Sequence, residues 1–244
     1  RALLRGAAAA AGAGAPTPAE RLAGLIPTPA LPARALAELA RQATPEAVAA
    51  LLAAWGNPYG APLLEEARRQ QPDLFALELR LDRVYAERAA RAARQGGRAM
   101  RDYVAMSVDI ANTWSALAVA SEEGAARAGE LWLAGGERLR RDAYQAAAAL
   151  PAAAARARLA LAWTGTPLGD ALRDGAAGES PEDAALATQL QSQRRLARAE
   201  PLGAAPVAEY ILRLRAEARD LRRIIWGVAL RVPGAALAGG VVAA

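Results

Sequence analysis

Residues 206–233 read PVAEYILRLRAEARDLRRIIWGVALRVP. Apolar residues recur here at steps of three and four, the spacing that places side chains on one side of an α-helix. They are Val207, Tyr210, Ile211, Leu214, Ala218, Leu221, Ile224, Ile225 and Val228. Arginine and acidic residues occupy the other side. The pattern predicts a long amphipathic helix whose apolar stripe packs into the core and decides the fold.

A short motif inside this helix occurs again upstream. Residues 217–222 read EARDLR and residues 109–114 read DIANTW, so that in both an acid is followed three residues later by Asp or Asn. Residues 1–6, RALLRG, look like the tail of a third copy. Such repetition predicts one helical unit used three times. No run of alternating apolar and polar residues is long enough for a strand, so the predicted class is all-α.

The repeated helix carries a resemblance to a known family. In the C-type subunits of the bacterial and archaeal V/A-type rotary ATPases, whose eukaryotic counterparts are the d-type subunits, the last such helix typically reads Tyr-x-x-x-Lys-Glu-x-Glu-x-x-Asn-Leu-Arg. The matching positions are Tyr210, Glu217, Leu221 and Arg222, and the departures are Leu214, Arg215 and Asp220. Further similar segments follow in the family's order at residues 101–103, 131–136, 165–167 and 201–203. The sequence therefore resembles that family over most of its length.

The resemblance implies a function without catalysis. Family members are helical bundles set about a pseudo-threefold axis, forming a socket that sits on the membrane proteolipid ring and receives the tip of the central shaft. The expected partners are the central-shaft subunits and the rotor ring, with peripheral membrane contact through the ring at the cytoplasmic face and no nucleic acid. We expect no catalytic, cofactor-binding or metal-binding residue. The coupled reaction is ATP-driven ion transport or ATP synthesis.

The resemblance also sets the expected domain boundaries. Residues 1–16 are a remnant of a first helical domain with a linker, because the chain begins at Arg1 inside what looks like a helix end and most of the family's first domain would be missing. Residues 17–121 form a second bundle, residues 122–233 a third, and residues 234–244 a tail. Residues 121–130, at the junction of the second and third bundles, are expected to be a turn region, and residues 137–149 a helix.

Five residues of the repeated motif are candidate structural anchors. Asp109 and Asn112 lie on a helix, near residues 98–120, that is apolar on nearly every side, so both are expected to be buried. A buried ion without partners costs several kcal/mol, so these side chains should hydrogen-bond to neighbouring helices through arginines or backbone amides. By the same motif, Glu217, Asp220 and Arg222 are expected to be anchors of the last helix.

The amino-acid composition excludes several kinds of catalytic and metal-binding site. The chain has no Cys and no His, which excludes disulfides, thiol chemistry, histidine catalysis and the usual zinc sites. Its net charge is +5, yet every one of the 30 basic residues is Arg, as the codon bias of a GC-rich genome would produce. The charge is therefore not by itself taken as a sign of a nucleic-acid partner.

Two other functions are compatible with a helical chain. Asp170-x-x-x-Asp174 is similar to one of the Mg²⁺-binding motifs of helical isoprenoid synthases, but such enzymes need two facing acidic clusters and no second motif is present. Residues 189–198, QLQSQRRLAR, offer Gln and Arg for a recognition helix of an all-α nucleic-acid-binding regulator. A solvated helix face and surface turn are the simpler interpretations.

Overall fold

A computed structural model describes residues 1–9, 16–69, 73–121, 124–175 and 180–232. These ranges contain thirteen α-helices and no strand; a single isolated β-bridge joins Thr28 and Leu31. The prediction of an all-α protein is confirmed. Residues 10–15 of the predicted linker and the whole predicted tail, residues 234–244, lie outside the described residues.

The chain divides into two compact units, Arg1–Tyr85 and Ala86–Ala244. The first unit holds α1 (Ala2–Ala8), α2 (Pro18–Leu22), α3 (Ala33–Ala40), α4 (Pro45–Ala54), α5 (Gly60–Ala67) and the first part of α6 (Leu74–Ala93). The second holds the rest of α6, α7 (Gly97–Ala118), α8 (Gly124–Leu131), α9 (Arg141–Ala148), α10 (Ala152–Ala162), α11 (Pro167–Asp174), α12 (Pro181–Ala199) and α13 (Ala205–Ala229).

The division differs from the boundary expected at residues 121 and 122. It falls inside α6, and α7 packs with α9, α10, α12 and α13 of the second unit. The reason is that α7 is the central helix of that unit, and the segment that follows it folds back onto it. The three-domain scheme of the family resemblance stays a prediction.

The first unit is a small helical core closed by polar contacts between α1 and α6. Its most buried large side chains are Leu4, Leu39, Val48, Leu63 and Leu77. Arg5 on α1 donates to both carboxylate oxygens of Glu78 on α6, at 2.5 and 2.6 Å. These bonds lower the pKa of Glu78 below its ordinary value. Thr44 caps α4 by accepting a hydrogen bond from the backbone amide of Ala47, with Pro45 at the first helical position.

The second unit is built around α7. The largest side chains of its core are Leu139, Tyr144, Leu159, Trp163, Leu168 and Leu172, together with many alanines. Alanine buries little area but lets helices approach closely, so this core gains its stability from many small contacts. Trp163, the largest fully buried side chain, donates its indole N–H to Thr113 on α7 at 2.9 Å.

Helices α12 and α13 form an antiparallel pair that is held together by side-chain ion pairs at both ends. Asp183, near the start of α12, is buried and pairs with Arg219, at 2.5 Å, and with Arg223 near the end of α13. At the opposite end, Glu209 on α13 lies 3.4 Å from Arg194 on α12. Removing one partner of a buried pair typically costs about 3–5 kcal/mol, so Asp183 fixes how these two helices pack.

The side of α13 that packs is not the predicted apolar stripe. Its buried residues are Ala205, Leu212, Ala216, Asp220 and Gly227. The stripe lies on roughly the opposite side of the helix, and its large side chains are exposed, for example Leu221 at 59% and Ile225 at 66%. The prediction that the stripe packs into the core is therefore wrong for this chain. The small residues allow α12 to approach, and the ion pairs with Asp183 set the rotation of the helix.

Because α7 is apolar on nearly every side, its sequence also raises the question of whether it crosses a membrane. Residues 103–120, whose only charged side chain is Asp109, are the best candidate for a membrane span that the sequence offers. Within the described residues, every helix is either too short or too polar to cross a bilayer.

Truncating a leucine on each side of α13 tests which side is packed. Leu212 is 2% exposed, so Leu212→Ala should lower the free energy of unfolding by about 2–5 kcal/mol. The matched change Leu221→Ala, on the exposed side of the same helix, should alter it by less than about 0.5 kcal/mol. Urea denaturation of the two purified variants measures both values. Equal losses would mean that the stripe is covered within the chain.

Candidate interaction surface

The exposed stripe of α13 is the candidate interaction surface that the structure adds to the sequence. We call the α13 apolar face the eight large side chains Val207, Tyr210, Ile211, Leu214, Leu221, Ile224, Ile225 and Val228. All eight are between 42% and 67% exposed. Water-soluble monomers rarely leave a contiguous apolar patch of this kind, and such patches mark contacts with another surface.

Charged side chains flank this face. Arg213, Arg215 and Arg222 are exposed on the same helix, and Glu217 is the one exposed acid between them. A complementary surface would therefore be apolar at its centre and acidic at its edges. The same positive flanks disfavour pairing of two α13 helices from two copies of the chain.

Asp109, the first predicted anchor, lies at the centre of the second unit. Its side chain is fully buried on α7. One carboxylate oxygen, Oδ2, accepts hydrogen bonds from the backbone amides of Glu137 at 2.9 Å and Arg138 at 2.8 Å, and Oδ1 accepts one from Leu139 at 3.2 Å. Because these amides point at Asp109, α9 begins only at Arg141 and not at residue 137 as the sequence predicts.

Asn112 holds the same segment one turn further along α7. It is also fully buried, and its amide group makes two hydrogen bonds of 2.9 Å with Leu133: Nδ2 donates to the carbonyl oxygen, and Oδ1 accepts from the backbone N–H. Asp109 and Asn112 together bind the backbone of residues 133–139 to α7. The contacts run through backbone amides, which is one of the two kinds of partner that the sequence left open.

Burial affects the charge state of Asp109. Removal from water raises the pKa of its carboxyl above the ordinary value, while hydrogen bonds from the three amides pull the pKa back part of the way. Since the pKa is higher in the folded state than in the unfolded state, ionisation of this group costs folding free energy as pH rises through the folded pKa. The hydrogen bonds from the three amides reduce that cost.

The three predicted anchors of α13 occupy different surroundings. Asp220 is buried, as Asn112 is at the equivalent position of α7. Glu217 and Arg222 are exposed, whereas Asp109, the counterpart of Glu217, is buried. The assignment of Glu217 and Arg222 as anchors between helices thus stays a prediction. Glu217, three residues after Leu214 and four before Leu221, lies within the α13 apolar face, and Arg222 lies at its edge.

The two copies of the motif differ most in what covers them. On α7, Thr113 and Ala116 are buried, Thr113 against Trp163 and Ala116 within the core of the second unit. The equivalent positions on α13, Leu221 and Ile224, are exposed. The same side of the repeated helix is therefore filled in one copy and open in the other.

Polar side chains of α12 make contacts that the sequence did not indicate. Gln189 donates to Ser107 on α7 at 2.9 Å, Ser192 donates to Asp102 at 2.8 Å, and Gln193 donates to the carbonyl oxygen of Ala99 at 3.2 Å. Gln189 and Gln193 belong to the segment that the sequence offers as a recognition helix for nucleic acid. They are instead occupied in packing α12 against α7, which counts against a recognition helix.

The acidic pair of α11 has ordinary surroundings. Asp170 forms an ion pair of 3.0 Å with Arg173 on the same helix, and both side chains are exposed. Across the ranges that the structure describes, no three acidic side chains come together as a metal site would require.

Asp183 is the structural residue that sequence reasoning missed. The run Ser180-Pro181-Glu182-Asp183 reads as an ordinary helix start, where acids favour the positive end of the helix dipole. A signal was present in Arg219 and Arg223, which are four residues apart and therefore face the same direction on α13. The sequence alone did not indicate that the start of α12 would lie against them.

Gly136 provides a direct test of the contact with Asp109. A Cβ atom at this position would lie far inside van der Waals contact with Asp109 Oδ1, so Gly136→Ala should displace the carboxylate and weaken its three hydrogen bonds. We expect a loss of at least about 2 kcal/mol in the free energy of unfolding. The control Gly129→Ala, in α8 with nothing within 4 Å, should be neutral or stabilising by up to about 1 kcal/mol. A fully stable Gly136→Ala variant in thermal denaturation would show that the carboxylate is not held there.

Comparison with known proteins agrees with this architecture. A search of curated proteins finds no match. The sequence model of one family, described as the ATP synthase (C/AC39) subunit, matches residues 1–237, which is nearly the whole chain. The chain therefore belongs to the ATP synthase (C/AC39) subunit family, which is the family of the C-type and d-type subunits of V/A-type ATPases.

Proposed function

We propose that this chain is a non-catalytic connector that joins the central shaft of a V/A-type ATPase to the proteolipid ring. In that role it passes torque between ATP hydrolysis or synthesis and ion movement, as a peripheral subunit at the cytoplasmic face of the membrane. The family match supports membership of the complex. The α13 apolar face is the observation that carries the connector role, because it is a ready contact surface on a well-anchored helix.

The energetics of the α13 apolar face favour a tight contact. Fully burying one large aliphatic side chain contributes about 1.5–3 kcal/mol, and each of the eight residues still has more than 40% of its surface to bury. Contacts of this kind usually depend on a few central residues. Leu221 and Ile225, four residues apart on the mid-line of the face in its C-terminal half, are the residues that we expect to contribute most.

The support behind the face suits a component that transmits force. Asp183 holds the far end of α13 to α12 through two arginines, and the side chains of Gln189, Ser192 and Gln193 hold α12 to α7. A load applied to the α13 apolar face would therefore reach α7 through fixed polar contacts. We propose that the face contacts the shaft, whose helices can supply a matching apolar surface.

Capture of the shaft subunits tests this assignment. With the tagged full chain as bait, the double variant Leu221→Gln/Ile225→Gln should reduce capture of purified shaft subunits about tenfold or more, because it replaces two central apolar contacts. Its melting temperature should stay near that of the original chain, since both residues are exposed. The control Leu161→Gln alters a side chain that is 65% exposed on α10 and should leave capture intact.

The outcomes of this experiment separate the possible partners. Loss of capture of the detergent-solubilised proteolipid ring, with capture of the shaft unchanged, would assign the α13 apolar face to the ring. If the double variant retains both partners as well as Leu161→Gln does, the face is not a docking surface for either.

Asp109 is expected to act on assembly only through stability. Asp109→Ala leaves three backbone amides without their acceptor and should lower both the melting temperature and the capture of shaft subunits. Thermal denaturation and the capture assay, run on the same preparation, measure the two effects. A normal melting temperature with lost capture would make Asp109 a contact residue instead.

A further inference from the structure

A second feature lies where α12 ends and α13 begins. The two helices enclose an open cleft of about 700 Å³, lined by Arg194 and Arg198 of α12 and by Glu209 and Arg213 of α13. Pro201 and Pro206 form part of its wall. This cleft is separate from the anchors on α7, and Arg194, Arg198 and Glu209 are not part of the α13 apolar face.

The side chains that line the cleft carry a net positive charge. Three guanidinium groups and a single carboxylate line it. Glu209 accepts a hydrogen bond of 2.7 Å from Arg213, and its same oxygen lies 3.4 Å from Arg194 Nε. One carboxylate is thus shared by two arginines. Within the described part of the chain, Arg198 has no acidic partner at ion-pair distance.

Arg194 has donors that the described residues do not use. Its Nε atom is buried and makes no hydrogen bond there, although Glu209 stands at ion-pair distance, because the N–H does not point at the oxygen. Buried donors in folded proteins are nearly always paired, so an unpaired one calls for an acceptor. An oxyanion in the cleft would let the Arg194 guanidinium reorient and use its donors.

The ends of the two helices do not decide whether the cleft favours an anion or a cation. The start of α13 has no side chain capping its free amides, which favours an anion. The end of α12 lies beside it and presents carbonyl oxygens, which disfavour one. Since these two effects oppose each other, the arginines determine which ions the cleft attracts.

We propose that this cleft binds a phosphate group, as carried by an anionic lipid headgroup or by a free phosphate. Planar guanidinium groups donate two parallel hydrogen bonds to phosphate oxygens, and three of them match the several oxygens of one phosphate. Arg198 and Arg194 hold the group, and Arg213, held by Glu209, completes the set. The carboxylate of Glu209 opposes binding and limits affinity.

Calorimetric titration of the full chain with inorganic phosphate tests the proposal. Arg198→Gln should weaken binding about tenfold, since it removes one charged contact. Arg158→Gln, which removes the same charge from an exposed position on α10, should change the dissociation constant less than twofold. Glu209→Gln should tighten binding several-fold, whereas Glu217→Gln, an exposed position elsewhere on α13, should not. Absence of phosphate binding, or equal effects of Arg198→Gln and Arg158→Gln, would overturn the proposal.

Vesicle co-sedimentation identifies the source of the phosphate. Vesicles of phosphatidylglycerol in phosphatidylcholine should sediment the original chain and lose it with Arg198→Gln if a lipid headgroup is the ligand. If inorganic phosphate binds with the predicted dependence on Arg198 but these vesicles retain no protein, the cleft serves a free phosphate. Sedimentation that Arg198→Gln and Arg158→Gln reduce equally would reflect net charge and would contradict a lipid site in the cleft.

Discussion

The buried carboxylate of Asp109 is the constraint on which the second unit depends. An ion in the protein interior is expensive unless its oxygens are satisfied, and here they accept three consecutive backbone amides, those of residues 137–139. Those amides are held outside any helix, and this fixes where α9 begins. Arg138, whose amide is one of the three, lies over the ring of Trp163 at 5.7 Å, and the indole of Trp163 bonds to Thr113 beside Asp109 on α7. The carboxylate thereby holds the segment before α9 on α7, and Arg138 links that segment to Trp163 at the end of α10.

The positions of α12 and α13 also depend on α7, through side-chain contacts rather than backbone contacts. Gln189, Ser192 and Gln193 fix α12, and Asp183 then fixes the rotation of α13 by pairing with Arg219 and Arg223. Each step uses a buried polar group whose loss would leave an unsatisfied partner. In an alanine-rich core each apolar contact is small. These buried polar contacts therefore contribute a large share of what determines how the helices pack. The orientation of the exposed α13 apolar face is the last consequence of that series.

Much of the fold follows from local patterns in the sequence. Thr44-Pro45 begins a helix where a capping threonine and a first-position proline predict one. The apolar surround of α7 correctly indicates a buried helix. Local patterns fail where a distant group decides the structure. Residues 137–140 have helical propensity but their amides turn to Asp109, and α8 is a helix where composition suggested a turn. Asp183 reads as a capping acid because its partners lie on another helix.

The interaction surface illustrates a different limit. An amphipathic stripe indicates that a helix face will be covered, but it does not indicate by which molecule. On α13 the residues of the stripe are those that the sequence singled out, and only the assumption that the chain itself covers them is wrong. The side that does pack offers Ala205, Ala216 and Gly227, residues too small to register as a stripe yet suited to close approach of α12. On α7, the side that corresponds to the exposed stripe of α13 is covered by residues 133–139 and the helices that follow. The stripe of the repeated helix is covered on α7 and exposed on α13, and this difference supports the proposal that another subunit of the assembly docks on α13.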